Sequence, residues 1–234
     1  CQEIFSNPRI GLVCGMEKSE HNHPDGSSES VYKKFSNKRR ISQSINSSIV
    51  VVEGSMCCFR KESLGGILLN ENYNADDTQL AILCSRNNFL SIMDSRLTFH
   101  DSNVLSKIGD FRRRVRRGRG LSRNLVANIG MALPRNNRIN ASVFARSAFF
   151  YLLLPWISAF AILGGASLLL LSEVVPSLAL SEGLRIGLFF SSLVFIMWPT
   201  GRSFLEGCAI MLTAQISSLS HASKDAWEPD RQRE

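Results

Sequence analysis

The sequence predicts an α/β domain followed by helices that enter a membrane, and three observations carry that expectation. Short β-branched or apolar runs alternate with amphipathic stretches up to about residue 128, an acidic pair opens one of those stretches, and beyond Phe149 the chain becomes apolar over lengths that match a bilayer. The expected organisation is a domain over 1–128, a basic juxtamembrane linker over 129–146, a membrane region over 147–219 and a polar tail over 220–234.

Ile10 to Gly15 is a short apolar run bounded by Pro8 and Gly15, and reads as a buried strand. A polar loop from Met16 to Ser30 follows. Val31 to Ser48 spaces Tyr32, Phe35, Ile41 and Ile45 as a helix does, with Lys33, Lys34, Lys38, Arg39 and Arg40 on its basic face. Ile49-Val50-Val51-Val52 is β-branched and reads as a strand ending at Gly54, with Met56 to Phe59 as an edge of the same sheet. Arg60 to Leu64 reads as a helical turn closed by Gly65-Gly66. Leu80, Ala81, Leu83 and Cys84 form the apolar face of a helix that begins at Asp76-Asp77, where the helix dipole favours negative charge. Phe89 to Met93 and Leu97 to Phe99 read as a strand pair, and Val104 to Asn128 as a long arginine-laden helix.

Ser147 to Leu171 offers 25 residues without a charge, enough to cross a hydrocarbon core. Ile186 to Trp198 and Phe204 to Leu219 are shorter apolar runs, and their lengths leave two or three membrane helices open. Arginines before the first span place the N-terminal region in the cytoplasm by the positive-inside rule, so a multi-pass cell-membrane protein is expected.

The formal charge of +7 could suggest nucleic acid, but the excess concentrates between Lys107 and Arg146, where eleven Lys or Arg face only Asp110 and lead into the apolar tail. No aromatic side chain interleaves with the arginines between Arg112 and Arg123, which excludes a base-stacking platform. The six cysteines have no framework spacing and read as reduced thiols. His21, His23 and Asp25 have no matching second cluster and read as a solvated loop, so no metal ligand is assigned. Trp227 reads as an interfacial indole.

Together these residues resemble the inverting family 2 glycosyltransferases that carry C-terminal membrane helices, the group that includes cellulose, chitin and hyaluronan synthases. The resemblance runs over roughly residues 1 to 123. Phe5 to Gly15 resembles the strand that follows the family's metal-binding acidic motif, and Gly54 to Arg60 the glycine-led segment lining the acceptor pocket. Asp76-Asp77 resembles the acidic pair whose second member is the catalytic base, and Arg113-x-x-Arg116-Arg117 stands where the synthases carry Gln-x-x-Arg-Trp. The resemblance implies a partial GT-A-like nucleotide-sugar transferase domain whose first half is missing, so that the chain is a fragment. It also implies Asp77 as general base beside Asp76, Arg113, Arg116 and Arg117 near the donor diphosphate, and Gly54, Ser55 and Arg60 on the acceptor side. The implied partners are a UDP-sugar, a saccharide or lipid-linked acceptor and membrane lipid, with Mg²⁺ or Mn²⁺ in the full-length enzyme although no Asp-x-Asp motif precedes Asp76. Arginine in place of the glutamine and tryptophan favours a single transfer over processive synthesis.

General-base removal of an acceptor proton needs one carboxylate, and guanidinium forks suit a departing diphosphate. On a helix Arg113, Arg116 and Arg117 share a face, leaving Arg112, Arg114 and Arg119 directed elsewhere, toward lipid headgroups. Asp76 would raise the pKa of Asp77 while the helix terminus lowers it, and sequence leaves the balance open. The alternative from another class is a truncated, non-catalytic membrane subunit or pseudoenzyme that binds a partner or anionic lipid.

Overall fold

A computed structural model describes residues 2–18, 28–70, 73, 75–100, 107–133, 138–174 and 182–220. At its centre lies the apolar run expected as a strand, β1 (Ile10–Glu17), whose Leu12, Val13 and Cys14 are almost wholly inaccessible. It pairs antiparallel with β2 (Cys57–Phe59) in the register Leu12↔Phe59, Val13↔Cys58, Cys14↔Cys57, and parallel with β3 (Leu90–Phe99), giving the order β2-β1-β3. A strand buried on both faces carries side chains that need cover on both, and helices supply it.

Two expectations about strands are corrected. Phe89–Met93 and Leu97–Phe99 are not a pair but belong to one strand, because the register jumps from Cys14↔Met93 to Met16↔Thr98 and so pushes Asp94, Ser95 and Arg96 out of the ladder. Their polar side chains belong in solvent, and Arg96 closes on Asp94 at 2.8 Å. Ile49-Val50-Val51-Val52 bends at Val50 and Val51 and joins no ladder, although the Ile49 N–H donates to the Ser91 carbonyl of β3 at 2.8 Å. Ile49 and Val52 enter one core and Val50 the other, while the carbonyls of Val51 and Val52 accept from the Arg40 guanidinium at 3.0 and 3.4 Å. Burial on two sides satisfies the β-branched side chains, and an arginine replaces the neighbouring strand as hydrogen-bond donor.

The helices fall close to their expected positions. In chain order they are α1 (Ser28–Asn46), α2 (Asp76–Arg86), α3 (Lys107–Ala127), α4 (Arg138–Ala148), α5 (Leu154–Val174), α6 (Glu182–Met197) and α7 (Pro199–Ser220). The turn at Lys61–Leu64 is closed by Gly65 and Gly66 with φ of 61° and 73°, the left-handed conformation that glycine adopts without strain. Eight consecutive residues of α2, Thr78 to Ser85, are buried because the helix is packed on two sides. Leu80, Ala81 and Cys84 meet Leu12, Cys14 and Met93, whereas Ile82 meets Leu121, Leu125, Val143 and Phe144 of α3 and α4. Residues 138–146, expected within a linker, thus belong to a helix seated in the core.

α4 runs through one π-helical turn at Phe149–Leu153 into α5. The stretch Asn140–Leu168 is 29 residues long and apolar enough to cross a membrane, and Ile186–Met197 with Pro199–Leu219 would be a second such segment, bent by 84°. α7 lies along α3, where a Cβ added to Gly118 would stand 3.1 Å from the Ala214 Cβ, so glycine permits the close approach.

Candidate active site

Asp77 is the second residue of α2, and Ala75 is the N-cap. Alanine has no side-chain acceptor for the free amides of a helix start, and the Oδ1 of Asp77 takes the Thr78 N–H at 2.6 Å. Opposite lies Gly54. A Cβ there would stand 2.8 Å from Asp77 Oδ2, so glycine at this position is what leaves room for the carboxylate.

The charges around Asp77 come from three elements. Burial pushes its pKa up; the Thr78 amide pulls it down; Asp76 and Glu53 raise it by like charge, and Arg117 of α3 lowers it. The upward direction prevails, and burial, which the sequence does not reveal, is its largest cause. Glu53, next to Gly54, is bonded to the buried Arg40 at 2.9 Å, and although burial opposes the arginine's charge, Glu53 keeps it protonated. Burial pushes the Cys57 thiol up to about 12 and raises Cys14 as well, so both remain protonated neighbours of Asp77 and not nucleophiles.

The arginine cluster divides in a way that helical spacing only partly anticipates. Arg117 is the member whose charge reaches Asp77. Arg113 pairs with Asp110 at 3.1 Å, and Arg116 is half-buried on the same helix. Arg114, expected toward lipid headgroups, instead pairs with Glu206 of α7 and stands 6.0 Å from the Tyr32 ring, because α7 covers that face of α3. Ser55 is exposed in the turn beside Gly54. Arg60 points away: its guanidinium donates to the carbonyls of Phe5 at 2.6 Å and Ile10 at 3.3 Å and covers the Phe5 ring, so here it straps the chain start to the sheet. His21, His23, Asp25 and Trp227 lie outside the described residues.

Three polar residues of the site escape sequence reading. Arg40 and Glu53 form its buried ion pair; Arg40 is hidden in a run of surface-type cations, and only the position of Glu53 beside Gly54 could have drawn notice. Gln79 is buried, donates to the carbonyls of Asn70 and Tyr73, and accepts from the Asn70 amide, so it pins the segment that leads into Asp76.

No protein-family model matches the sequence, and no curated protein matches it. Among solved structures the fold matches the mannosyltransferase PcManGT from Pyrobaculum calidifontis, determined in complex with GDP-Man and Mn²⁺, with a TM-score of 0.70 at 18% sequence identity. The chain shares the fold of the matched part of that protein. The match covers 92% of this chain and 55% of that one, so the chain spans about half the length of its structural neighbour. That protein's donor is a GDP-sugar, where the family resemblance implies a UDP-sugar.

A divalent ion is bound in the neighbour, but among the described residues no group of three or more His, Cys, Asp or Glu could hold one. Of the carboxylates around Asp77, Glu53 is engaged with Arg40 and one Asp77 oxygen with the Thr78 amide, and Asp76 is exposed at the helix start. These residues do not by themselves fit the ion.

Proposed function

We propose that the chain is the acceptor-side part of a membrane-bound glycosyltransferase that moves a sugar from a nucleotide-sugar to a saccharide or lipid-linked acceptor. The observation that carries this reading is the Asp77 carboxyl, raised in pKa at a helix start, within reach of the Arg117 charge and bordered by a glycine that leaves room for the carboxylate. The fold match to a protein that holds GDP-Man supports it.

In the transfer, the acceptor hydroxyl gives its proton to Asp77 while its oxygen bonds to the anomeric carbon. The bond from that carbon to the diphosphate oxygen breaks on the opposite face, and its electron pair leaves with the nucleoside diphosphate. A carboxylate with an elevated pKa is the better base for this step, because general-base efficiency rises as the catalytic pKa approaches the working pH. Arg117, with Arg116 and Arg113 on the same helical stripe, places positive charge where the leaving group becomes anionic. Asp76, exposed at the first position of α2, contributes through its charge on Asp77. The exposed apolar continuation of the core helix α4, which is α5, would anchor the assembly in the membrane, with the α/β part on the cytoplasmic side.

Asp77→Asn in the full-length protein tests the assignment. Turnover, read as release of nucleoside diphosphate, falls by about 10²–10⁴-fold with the donor KM little changed. Undiminished turnover would overturn the proposal and favour the non-catalytic subunit.

A further inference from the structure

We infer that Asn124 of α3 is a positioning residue for Asp77, and that one hydrogen bond holds the start of α2, and with it the carboxylate, against the helix that carries Arg117. The inference rests on the proposed role of Asp77. Asn124 is 1% exposed, and its Nδ2 donates to the Ala75 carbonyl at 3.0 Å. The same carbonyl accepts the first hydrogen bond of α2, from the Gln79 N–H at 3.0 Å, so both of its acceptor positions are filled.

Three features give this contact its importance. Ala75 cannot cap the helix with its own side chain, so the start of α2 lacks the usual local anchor, and its φ of −141° and ψ of 65° lie outside the helical region. Asn124 supplies the anchor from another element. Second, Arg117 and Asn124 are seven residues apart on α3, two helical turns, and therefore share one stripe of that helix. The stripe that presents the cation thus also holds the backbone two residues before the carboxylate. Third, Asn124 is braced from behind. The Asn128 Nδ2 donates to the Asn124 carbonyl at 2.8 Å, and Arg86 at the far end of α2 donates to Asn128 Oδ1 at 2.6 Å, so α2 and α3 are tied at both ends of the shorter helix.

Asn124 touches no reacting atom. With its amide gone, the start of α2 is free to turn away from α3, and Asp77 loses part of the Arg117 charge that lowers its pKa.

The test is a double-mutant cycle of Asn124→Ala and Arg117→Gln in the full-length protein, read by carbon-13 NMR titration of the Asp77 carboxyl with Asp77→Asn as the assignment blank. Each single variant raises the Asp77 midpoint, and the double variant raises it no further than Arg117→Gln alone. With GDP-mannose and Mn²⁺ as the probe, Asn124→Ala lowers kcat about tenfold to a hundredfold, leaves the donor KM unchanged and moves the acid limb of kcat to higher pH. An unmoved or lowered midpoint, or two shifts that add, overturns the inference. If Asn124→Ala does not fold, Asn124→Ser, which keeps a polar group without the reach, takes the same readouts. Should Asp77→Asn turn over normally, the catalytic reading fails, while the titration still decides whether Asn124 positions the carboxyl.

Discussion

A carboxylate half withdrawn from water at the start of a helix has its proton affinity set by neighbours that sequence separates widely. Asp77 is raised by burial and by two other carboxylates, and restrained by an amide and an arginine forty residues on. Linkage turns this into a stability prediction. The folded protein holds the Asp77 proton more tightly than the unfolded chain, so stability falls as pH climbs from the ordinary carboxylate pKa through the raised one, and stays lower above it. Asp77→Asn removes that cost. Its thermal midpoint is therefore expected above that of the wild type at neutral pH, with the difference closing on acidification below the ordinary carboxylate range; equal midpoints at pH 7 would contradict the raised pKa. The helix start at this residue was legible because two aspartates before an apolar run mark one. Its neighbours were not, since Arg40 carries the same letter as any solvated arginine and Asn124 carries no charge to mark it.

Among the elements, α3 does the most to assemble the site. One stripe presents Arg117, Val115 and Leu125 enter two different cores, and Gly118 lets α7 approach. The helix itself was readable from its length and spacing, but α7 was assigned wholly to the membrane region, whereas Ile210 and Ala214 pack on Val115 and Glu206 pairs with Arg114. A Cβ at position 118 already meets Ala214 at 3.1 Å, and the neighbour is helix-bound, so Gly118→Leu must part the two helices. A loss of about 1–3 kcal/mol is expected, measured by equilibrium denaturation, together with reduced turnover because Arg117 is the adjacent residue. The strand expectations failed for a related reason. Ile49–Val52 has β-branched composition, yet whether such a segment pairs with a strand or bends to meet an arginine depends on what lies beside it.

At the scale of the whole molecule, two cores on opposite sides of α2 are joined through the Ile49–Val52 segment. Phe144, inaccessible to solvent, sits where α2, α3 and α4 meet. Phe144→Ala is expected to cost about 3–5 kcal/mol in equilibrium denaturation, far more than truncation of a linker residue would. What the sequence determined by itself is local: the helix starts, the left-handed glycines, the central apolar strand, the 25 uncharged residues from Ser147 and the arginine stripe all follow from residue type and spacing along the chain. Only the tertiary structure decided that Arg114 pairs with Glu206 of α7, that the Arg117 charge reaches Asp77, that Arg60 straps the chain start to the sheet, and that an asparagine anchors the helix carrying the carboxylate. Those outcomes depend on burial and on charges brought together across dozens of residues, and neither quantity is carried by local spacing.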